Sequence, residues 1–358
     1  MSGIFVHAEA ASQVVATVGV LTAFFAATIA LVQTDIKRVL AYSTISQLGF
    51  MFLAAGVGAY GVAIFHVVTH AFFKACLFLG AGSVIHAMSG EQDIRKMGAL
   101  AKKIPITFAT FAVSTAAIAG LPPLSGFFSK DEILWFAYGS SFGGASWLLL
   151  LASATALMTA FYMFRLLWLT FFGTPRMDEE VAHHIHESPW SMTGVLIVLA
   201  ILAAFGGFFS IPHFLEPMLP LPMIRPEAQS FHGPLVWIAT GLGVGGLLLA
   251  AYFYGNDAAR AERLRPSFEP IHKVLSGKYY IDELYEAVLG RPLTWVSEKI
   301  FLRIGDRFLI DGSLDGLAAL AQRSAGRLSK LQTGNLHLYA FLVLAGIVGA
   351  LIWSWRNG

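Results

Sequence analysis

The chain contains several apolar runs of roughly 20 residues, the length that an α-helix needs to cross the hydrocarbon core of a bilayer. The composition agrees with this, because 56% of the 358 residues are hydrophobic and only 13% are charged. In lipid the backbone polar groups must be satisfied within the segment itself, so these runs must be helical. The sequence therefore predicts an all-α polytopic membrane protein with about eight transmembrane helices.

The composition changes after residue 254, where charges become balanced and apolar residues recur at helical spacing. Amphipathic helices between two spans usually lie in the membrane interface or against partner proteins. We therefore expect four parts, namely a five-helix unit at residues 1–173, two further spans at 174–254, a long amphipathic lateral helix region at 255–334, and a C-terminal transmembrane anchor at 335–358. A solvated domain is the alternative for the third part, although its segments are slender for enclosing a core.

One apolar segment, residues 104–138, is too long for a single crossing of ordinary tilt. Its middle reads GLPPLSG, between Gly120 and Gly126, and two adjacent prolines cannot continue a helix. Broken helices are tolerated in lipid where the freed backbone lines a cavity, and they mark ion sites in transporters. Lys130 and Asp131 follow the break, so we predict them within the second half-helix, with a solvated loop tip as the alternative.

The third apolar run carries His66, His70 and Lys74 at intervals of four residues, which stacks them on one side of a helix. Lys74 falls near the middle of the run, where a cation costs roughly 3 kcal/mol or more and by default marks an ion or proton route. Low dielectric disfavours the charged form of a lysine, and a histidine titrates near neutrality. We predict a proton relay along this face, with water or rotamer motion bridging the gaps.

Other interpretations of this face stay open. His66 and His70 could be hydrogen-bonding residues between helices or ligands of haem or a metal, and Lys74 could be a fixed ion-pair partner. The metal interpretation is disfavoured, because Lys74 lies one turn away and no histidine partner stands out on a second helix. A histidine group in the loop at residues 183–186 lies among acidic residues and is typical of solvated surface. We predict no metal site.

The chain carries no signature of redox chemistry. Cys76 is its single cysteine, which excludes disulfides, CxxC redox pairs and thiolate-ligated clusters. We identify no phosphate-binding loop of the GxxxxGKS/T type. We therefore predict no flavin, iron–sulfur or NADH site and no catalytic residue here.

Basic residues gather in alternate loops, so the membrane side that these loops share is predicted to be cytoplasmic. Arg165 lies near a helix end, and its side chain is interpreted as snorkelling towards that side.

Three segments together resemble a known family. They read DIKRVLAYSTISQLGFM at residues 35–51, HVVTHAFFKACLFLGAGSVIH at 66–86 and GLPPLSGFFSKDEIL at 120–134. In this order they resemble the antiporter-like membrane subunits of respiratory complex I, NADH-quinone oxidoreductase. The segment KYYIDELYEAV at 278–288, with the amphipathic stretch and closing span, is similar to the subunit L (mitochondrial chain 5) family. Its sister subunits M and N end without that extension.

The resemblance implies a proton-translocating subunit at the far end of the membrane arm. Residues 1–173 would be the second antiporter-like five-helix repeat. Lys74 would be the central channel lysine, preceded by His66 and His70 on the same helix. Lys130 would be the lysine on the broken helix that leads towards the periplasmic exit, with Asp131 beside it.

The resemblance also implies an assembly. NADH, FMN, iron–sulfur clusters and quinone would be bound by partner subunits, so the enzyme name would apply to the complex. The lateral helix would contact the antiporter-like subunits M and N. The expected location is multi-pass in a membrane, with a bacterial inner (plasma) membrane favoured over the mitochondrial inner membrane, and no nucleic-acid partner is expected.

Two other functions stay open. The large subunit of a multisubunit Na⁺/H⁺ antiporter shares the same motifs. A truncated chain could also act only as a structural brace, with the amphipathic stretch clamping its neighbours. Family members carry further spans, including a first repeat, before the point where this sequence begins. We therefore expect the sequence to be the C-terminal portion of a longer subunit.

Overall fold

The computed structural model of the chain describes residues 7–255, 259–330 and 332–357, and it divides into one unit that ends at Tyr279 and a second that begins at Tyr280. Seven of the described helices are long and apolar enough to cross a membrane. The predicted all-α polytopic fold is confirmed. The division of the chain into four parts stays a prediction. Residues 1–6, 256–258, 331 and 358, which belong to these predicted parts, lie outside the described residues.

The first unit is a bundle of long helices whose bounds follow the apolar runs of the sequence. Each helix begins or ends where charged residues, glycine or proline interrupt a run. The long helices are α1 Glu9–Val32, α2 Ile36–Gly56, α3 Tyr60–Ala87, α4 Pro105–Ala119, α5 Ser125–Gly139, α6 Ser146–Phe171, α7 Trp190–Phe205 and α8 His232–Tyr254.

The predicted broken helix is present as α4 and α5. Gly120 ends α4 in a left-handed conformation with φ of 78°, and α5 begins five residues later. Pro122 and Pro123 have no N–H group, so the carbonyls of Ile118 and Ala119 receive no helical hydrogen bond from the residue four positions on. The break therefore leaves backbone acceptors free inside the bundle.

Close helix packing places α2 and α3 at the centre of this unit. A Cβ atom on Gly49 of α2 would lie 2.5 Å from the Ala23 nitrogen and 2.6 Å from the Gly19 oxygen of α1. Small residues permit such an approach between membrane helices. Helix α3 in turn contacts α2, α4, α5 and α7, so its polar face is enclosed by other helices.

Tyr279 anchors the end of the first unit on α1. Its ring stacks on Phe25 at 4.5 Å between centroids, and its hydroxyl lies 2.8 Å from the Thr28 hydroxyl. The backbone of Tyr279 has a positive φ of 58°, so the chain turns sharply here. The amphipathic stretch is thus interrupted at residues 278–280.

The second unit contains a long amphipathic helical stretch and a closing helix. The stretch is helical from residue 281 to 329, with the wider turns of a π-helix at Glu286–Gly290 and Ser297–Asp311. Its last part, Gly312–Ser329, repeats leucine at three-residue intervals at Leu314, Leu317 and Leu320. The closing helix, α9 (Leu336–Asn357), is 22 residues long with a mean hydropathy of 2.1, enough to span a bilayer.

The start of α4 is capped by a carboxylate that is distant in sequence. Ile104 provides no side-chain cap, but Glu187 accepts hydrogen bonds from the Ile106 nitrogen at 2.7 Å and the Thr107 hydroxyl at 2.7 Å. The negative charge also lies at the positive end of the helix dipole. This contact ties the loop before α7 to the first half of the broken helix.

We expect Glu187→Ala to lower the free energy of unfolding by about 1–2 kcal/mol, the usual effect of losing a helix cap. The measurement is the thermal unfolding midpoint of the full chain in detergent. Glu180→Ala is the control, because Glu180 is an exposed carboxylate in the same loop region. Equal midpoints for the two variants would show that the cap contributes nothing.

Candidate functional site

Helix α3 places His66, His70 and Lys74 on one face, and all three side chains are buried. The rings of His66 and His70 lie 6.1 Å apart between centroids, too far for a direct hydrogen bond. The structure therefore gives a row of separate polar groups. Whether they carry protons stays a prediction.

His66 has a partner for each ring nitrogen. Its Nε2 lies 3.2 Å from the Gln47 Oε1 of α2, and its Nδ1 lies 2.9 Å from the Ser129 hydroxyl of α5. An amide oxygen only accepts, so Nε2 carries the proton and Nδ1 of the neutral ring accepts from Ser129. Thr69 lies 2.9 Å from the same Ser129 oxygen. His66 thus joins α2, α3 and α5.

His70 is bonded less completely. Its Nε2 is buried and makes no hydrogen bond with any described residue. Its ring meets Phe73 edge-on at 5.4 Å between centroids. The two histidines, equivalent in the sequence pattern, therefore differ in the structure. His66 forms a hydrogen-bonding junction between helices, whereas the Nε2 of His70 has no hydrogen-bond partner among the described residues.

Lys74 is 5% exposed and lies against α2. Its Nζ donates to the Leu40 carbonyl at 2.8 Å and lies 5.6 Å from the ring centroid of Phe78. Four ion pairs occur among the described residues, and none involves Lys74. The fixed ion-pair interpretation of Lys74 thus has no carboxylate partner within the described part of this chain, and it stays an open prediction.

Lys130 is 4% exposed and occupies the break of α4 and α5. Its Nζ donates to the Ile118 carbonyl at 2.8 Å, the acceptor that Pro122 leaves without a helical donor. The ring of Phe50 lies 5.4 Å from Nζ. Lys74 and Lys130 thus share one kind of environment, consisting of a main-chain carbonyl and an aromatic face.

Asp131 is buried, but it is not paired with Lys130. Adjacent residues on a helix point in different directions, which separates the two side chains. The Asp131 Oδ1 atom and the neighbouring Glu132 Oε2 atom make no hydrogen bond with described residues. Direct tuning of Lys130 by an ion pair with Asp131 is therefore not seen.

Two residues at the centre of the site, Gln47 and Ser129, were not assigned a role from the sequence. The available signal is a polar cluster in an otherwise apolar span, because Ser43, Ser46 and Gln47 lie within five positions of one another in α2 and are buried. Polar residues inside membrane helices usually mark function. Their partners, however, lie on other helices, so the pattern alone does not show what they bind.

Two side predictions concern residues outside the site. Arg165 does not snorkel to solvent, because it is 6% exposed and donates to the Gln33 carbonyl at 2.8 Å. The interpretation of Arg165 as a snorkelling residue is wrong, since the carbonyl at the end of α1 is left unsatisfied there and provides an acceptor. In the described residues, no group of three or more His, Cys, Asp or Glu side chains is placed to hold a metal ion.

The first part of the chain matches the model of a known protein family. Residues 1–159, which contain α1 to α5 and the whole His/Lys site, match the family model described as "NADH:quinone oxidoreductase/Mrp antiporter, TM". These residues are therefore similar to that family. The resemblance predicted from the three sequence motifs is confirmed.

Relatives extend the similarity over the whole length. The chain is 37% identical to NADH-quinone oxidoreductase subunit L of Rhodobacter capsulatus, in an alignment that covers 100% of this chain and 61% of the relative. It is 40% identical to subunit L of Mycobacterium tuberculosis (strain CDC 1551 / Oshkosh), over 95% of this chain and 54% of the relative. The chain thus spans less than two thirds of the length of these relatives.

A solved structure supports the fold. The structure of the Mrp complex from Dietzia sp. DQ12-45-1b matches with a TM-score of 0.53 and 23% identity, over 96% of this chain and 34% of that chain. The helical fold of this chain is therefore shared with a chain of a solved complex. The chain is a multi-pass membrane protein with an antiporter-like membrane domain.

Proposed function

We propose that the chain is a proton-translocating membrane-arm subunit of NADH:quinone oxidoreductase, in which Lys74 and Lys130 carry the proton. One observation carries the proposal: two buried amines on separate helices are each held by a main-chain carbonyl instead of a carboxylate. The names of the curated relatives support the assembly. NADH, FMN, iron–sulfur clusters and quinone belong to partner chains in this proposal.

A carbonyl partner suits a lysine that must change its protonation state. Ammonium and neutral amine both carry N–H groups, so either form donates to the Leu40 or Ile118 oxygen without rearrangement. A buried carboxylate would instead bind the ammonium form selectively and hold the proton in place. In our proposal Lys74 loads and releases its proton as charges on partner helices shift.

The junction of His66 and Ser129 connects the two lysine sites. When Nδ1 of His66 gains a proton, it becomes a donor, and the Ser129 hydroxyl must turn its own proton elsewhere. The Ser125 carbonyl, 3.4 Å from the Ser129 oxygen, is an acceptor within reach. Protonation of His66 therefore reverses a hydrogen bond at the residue that precedes Lys130.

Water completes the path in this proposal. The Gln47 Nε2 and the His70 Nε2 are buried and make no hydrogen bond with a described residue. Buried polar groups of this kind are commonly bridged by water. Lys130 then passes the proton outward, with Asp131 acting through the field of its charge.

A transport assay of the native membrane complex that contains the chain tests the proposal. Proton uptake into vesicles is measured on addition of NADH, and separately on imposing a Na⁺ gradient without NADH. Uptake driven by NADH is the expected result. Exchange driven only by the Na⁺ gradient favours the second candidate, a multisubunit Na⁺/H⁺ antiporter, which the family description and the Mrp fold match support.

The same preparations test the proposed assembly. We infer that the amphipathic stretch contacts the neighbouring antiporter-like subunits M and N in a bacterial plasma membrane. Deleting residues 279–330 should then release these neighbours from the complex. A structural brace without transport is supported instead if this deletion disperses the complex while replacement of Lys74 leaves proton uptake unchanged.

We expect Ser129→Ala to lower the rate of proton translocation roughly tenfold, the effect of leaving a buried polar group without its partner. His66 Nδ1 and Thr69 lose their shared hydroxyl in this variant. Ser83→Ala is the matched control, because Ser83 is also buried and bridges helices through Thr107 and Ser188 at 2.8 and 2.6 Å, outside the path. Equal rates for the two variants would remove Ser129 from the relay.

A further inference from the structure

A cavity of about 590 Å³ opens at the end of the bundle where the basic loops lie. It is lined by the C-terminal parts of α1, α6 and α8, by the start of α2, by the loops that carry Arg95 and Arg176, and by the short helices between residues 259 and 276. All of these residues belong to the first unit. The volume is in the range of pockets that hold small amphipathic ligands.

Cationic side chains dominate the polar part of the lining. Five guanidinium groups face the cavity, and a single carboxylate, that of Glu262, accompanies them. The five are Arg38, Arg95, Arg165, Arg176 and Arg265. A concentration of positive charge at the ends of membrane helices attracts anionic headgroups.

Two of the five arginines already bind carboxylates. Arg95 lies 2.6 Å from the Asp93 carboxylate, and its hydrogen bonds lower the pKa of Asp93. Arg265 lies 3.7 Å from the Glu269 carboxylate. The remaining three, Arg38, Arg165 and Arg176, have no carboxylate within ion-pair distance among the described residues.

Arg165 is the buried member of these three arginines without a carboxylate partner. Besides donating to Gln33, its guanidinium lies 5.6 Å from the ring centroid of Tyr254, and its buried Nε has no partner in the described residues. Arg176 donates to the carbonyls of Leu169 and Arg95, which leaves its charge uncompensated. A buried, uncompensated cation is costly unless an anion binds it.

Apolar and aromatic side chains make up much of the remaining lining, beside the polar residues Gln33, Thr34, His272 and Ser276. Leu31, Phe161 and Phe253 lie on α1, α6 and α8, and Phe268 lies on the short helices. Inorganic phosphate would leave this surface uncovered. A ligand that combines an anionic phosphate with hydrocarbon would match both halves of the cavity.

We propose that this cavity binds an anionic phospholipid, with its phosphate on Arg165, Arg38 and Arg176 and its acyl chains along Phe161 and Phe253. Guanidinium groups pair with phosphate through charge-assisted, often bidentate hydrogen bonds, which suits this donor set. The site lies outside the His66–Lys130 path. The lipid proposal therefore does not depend on proton translocation and goes beyond it.

Lipid retention by the native complex containing the chain tests the proposal. The complex is stripped of lipid in detergent, offered phosphatidylglycerol or phosphatidylcholine, and analysed by native mass spectrometry and lipid extraction. We expect phosphatidylglycerol to be retained in preference to phosphatidylcholine. Replacement of Arg38 or Arg165 by glutamine should weaken this retention roughly fivefold per charge removed.

The variants cover the risk of misfolding. Arg38 is exposed and its guanidinium makes no hydrogen bond to a described residue, so Arg38→Gln should fold normally. Arg225→Gln is the matched control, because Arg225 also donates to a carbonyl, that of Tyr138, and lies 5.7 Å from that residue's ring centroid, away from the cavity. Retention by Arg225→Gln should equal that of the unmodified chain.

Three results would overturn the proposal. The first is that the unmodified chain retains the two lipids equally. The second is that both cavity variants retain as much phosphatidylglycerol as the unmodified chain. The third is that the unmodified chain binds inorganic phosphate but not phosphatidylglycerol, and that Arg165→Gln loses the phosphate, which would assign the cavity to a soluble phosphate. Thermal midpoints within the control range confirm that each variant is folded.

Discussion

Replacing Lys74 with methionine is expected to lower the number of protons that the complex moves per electron, because the protons carried by this chain are lost. NADH oxidation by the complex should continue. Methionine has a similar volume and remains apolar, so it removes the amine without opening a large cavity. The Leu40 carbonyl keeps the Thr44 hydroxyl, at 2.9 Å, as a donor. The fold should therefore survive, and only the proton carrier is lost.

The measurement is the ratio of protons taken up to electrons transferred, with the complex in sealed vesicles. Lys102→Met is the matched control, because Lys102 is an exposed lysine in a loop and lies outside the site. It should leave the ratio unchanged. An unchanged ratio in Lys74→Met would rule out Lys74 as a carrier.

Lys74→Arg separates proton transfer from a structural role. A guanidinium still donates to the Leu40 carbonyl but does not release its proton at physiological pH. If Lys74 only bridges α2 and α3, the arginine should restore function. If Lys74 exchanges its proton, the arginine variant should be as inactive as the methionine variant.

Gly49→Ala is expected to destabilise the bundle by about 3 kcal/mol or more, because the added methyl group meets backbone atoms that cannot move aside. The new Cβ would lie 2.5 Å from the Ala23 nitrogen and 2.9 Å or less from other α1 backbone atoms. Helix α2 would have to separate from α1. Since α2 also supplies Leu40 and Gln47, both lysine and histidine contacts would shift.

The thermal unfolding midpoint and resistance to denaturing detergent measure this effect. Gly82→Ala is the matched control, because Gly82 also lies inside a helix but a Cβ there has nothing within 4 Å. Alanine favours the helix by about 1 kcal/mol over glycine, so Gly82→Ala should be neutral or stabilising. Destabilisation of both variants to the same degree would contradict a close crossing of α1 and α2.

The helices and the break were predictable because their causes are local. A membrane leaves a backbone no stable alternative to the helix, so apolar length alone sets each span. Pro122 and Pro123 remove hydrogen-bond donors at known positions, which fixes the break between α4 and α5. The four-residue spacing of His66, His70 and Lys74 likewise follows from helix geometry.

The contacts of the site could not be predicted, because they join residues far apart in the chain. Ser129 lies 63 positions from His66, and Leu40 lies 34 positions from Lys74. Arg165 was expected at the surface and is buried, because the Gln33 carbonyl that it binds lies 132 positions away. No local pattern encodes which carbonyl or hydroxyl a buried side chain meets.

The helical segments, the break in one helix and the ionisable residues of the apolar interior could all be predicted from the order of the amino acids. The packing of the helices was needed to show that Lys74 and Lys130 face carbonyls instead of carboxylates, and that both ring nitrogens of His66 have partners while the Nε2 of His70 has none among the described residues. The physical reason is that backbone hydrogen bonds and hydrophobic length are properties of single segments. The partners of a side chain depend on the distance between neighbouring helices and on the rotation of each helix about its axis. Small residues on both helices, such as Gly19 and Gly49, together determine this distance.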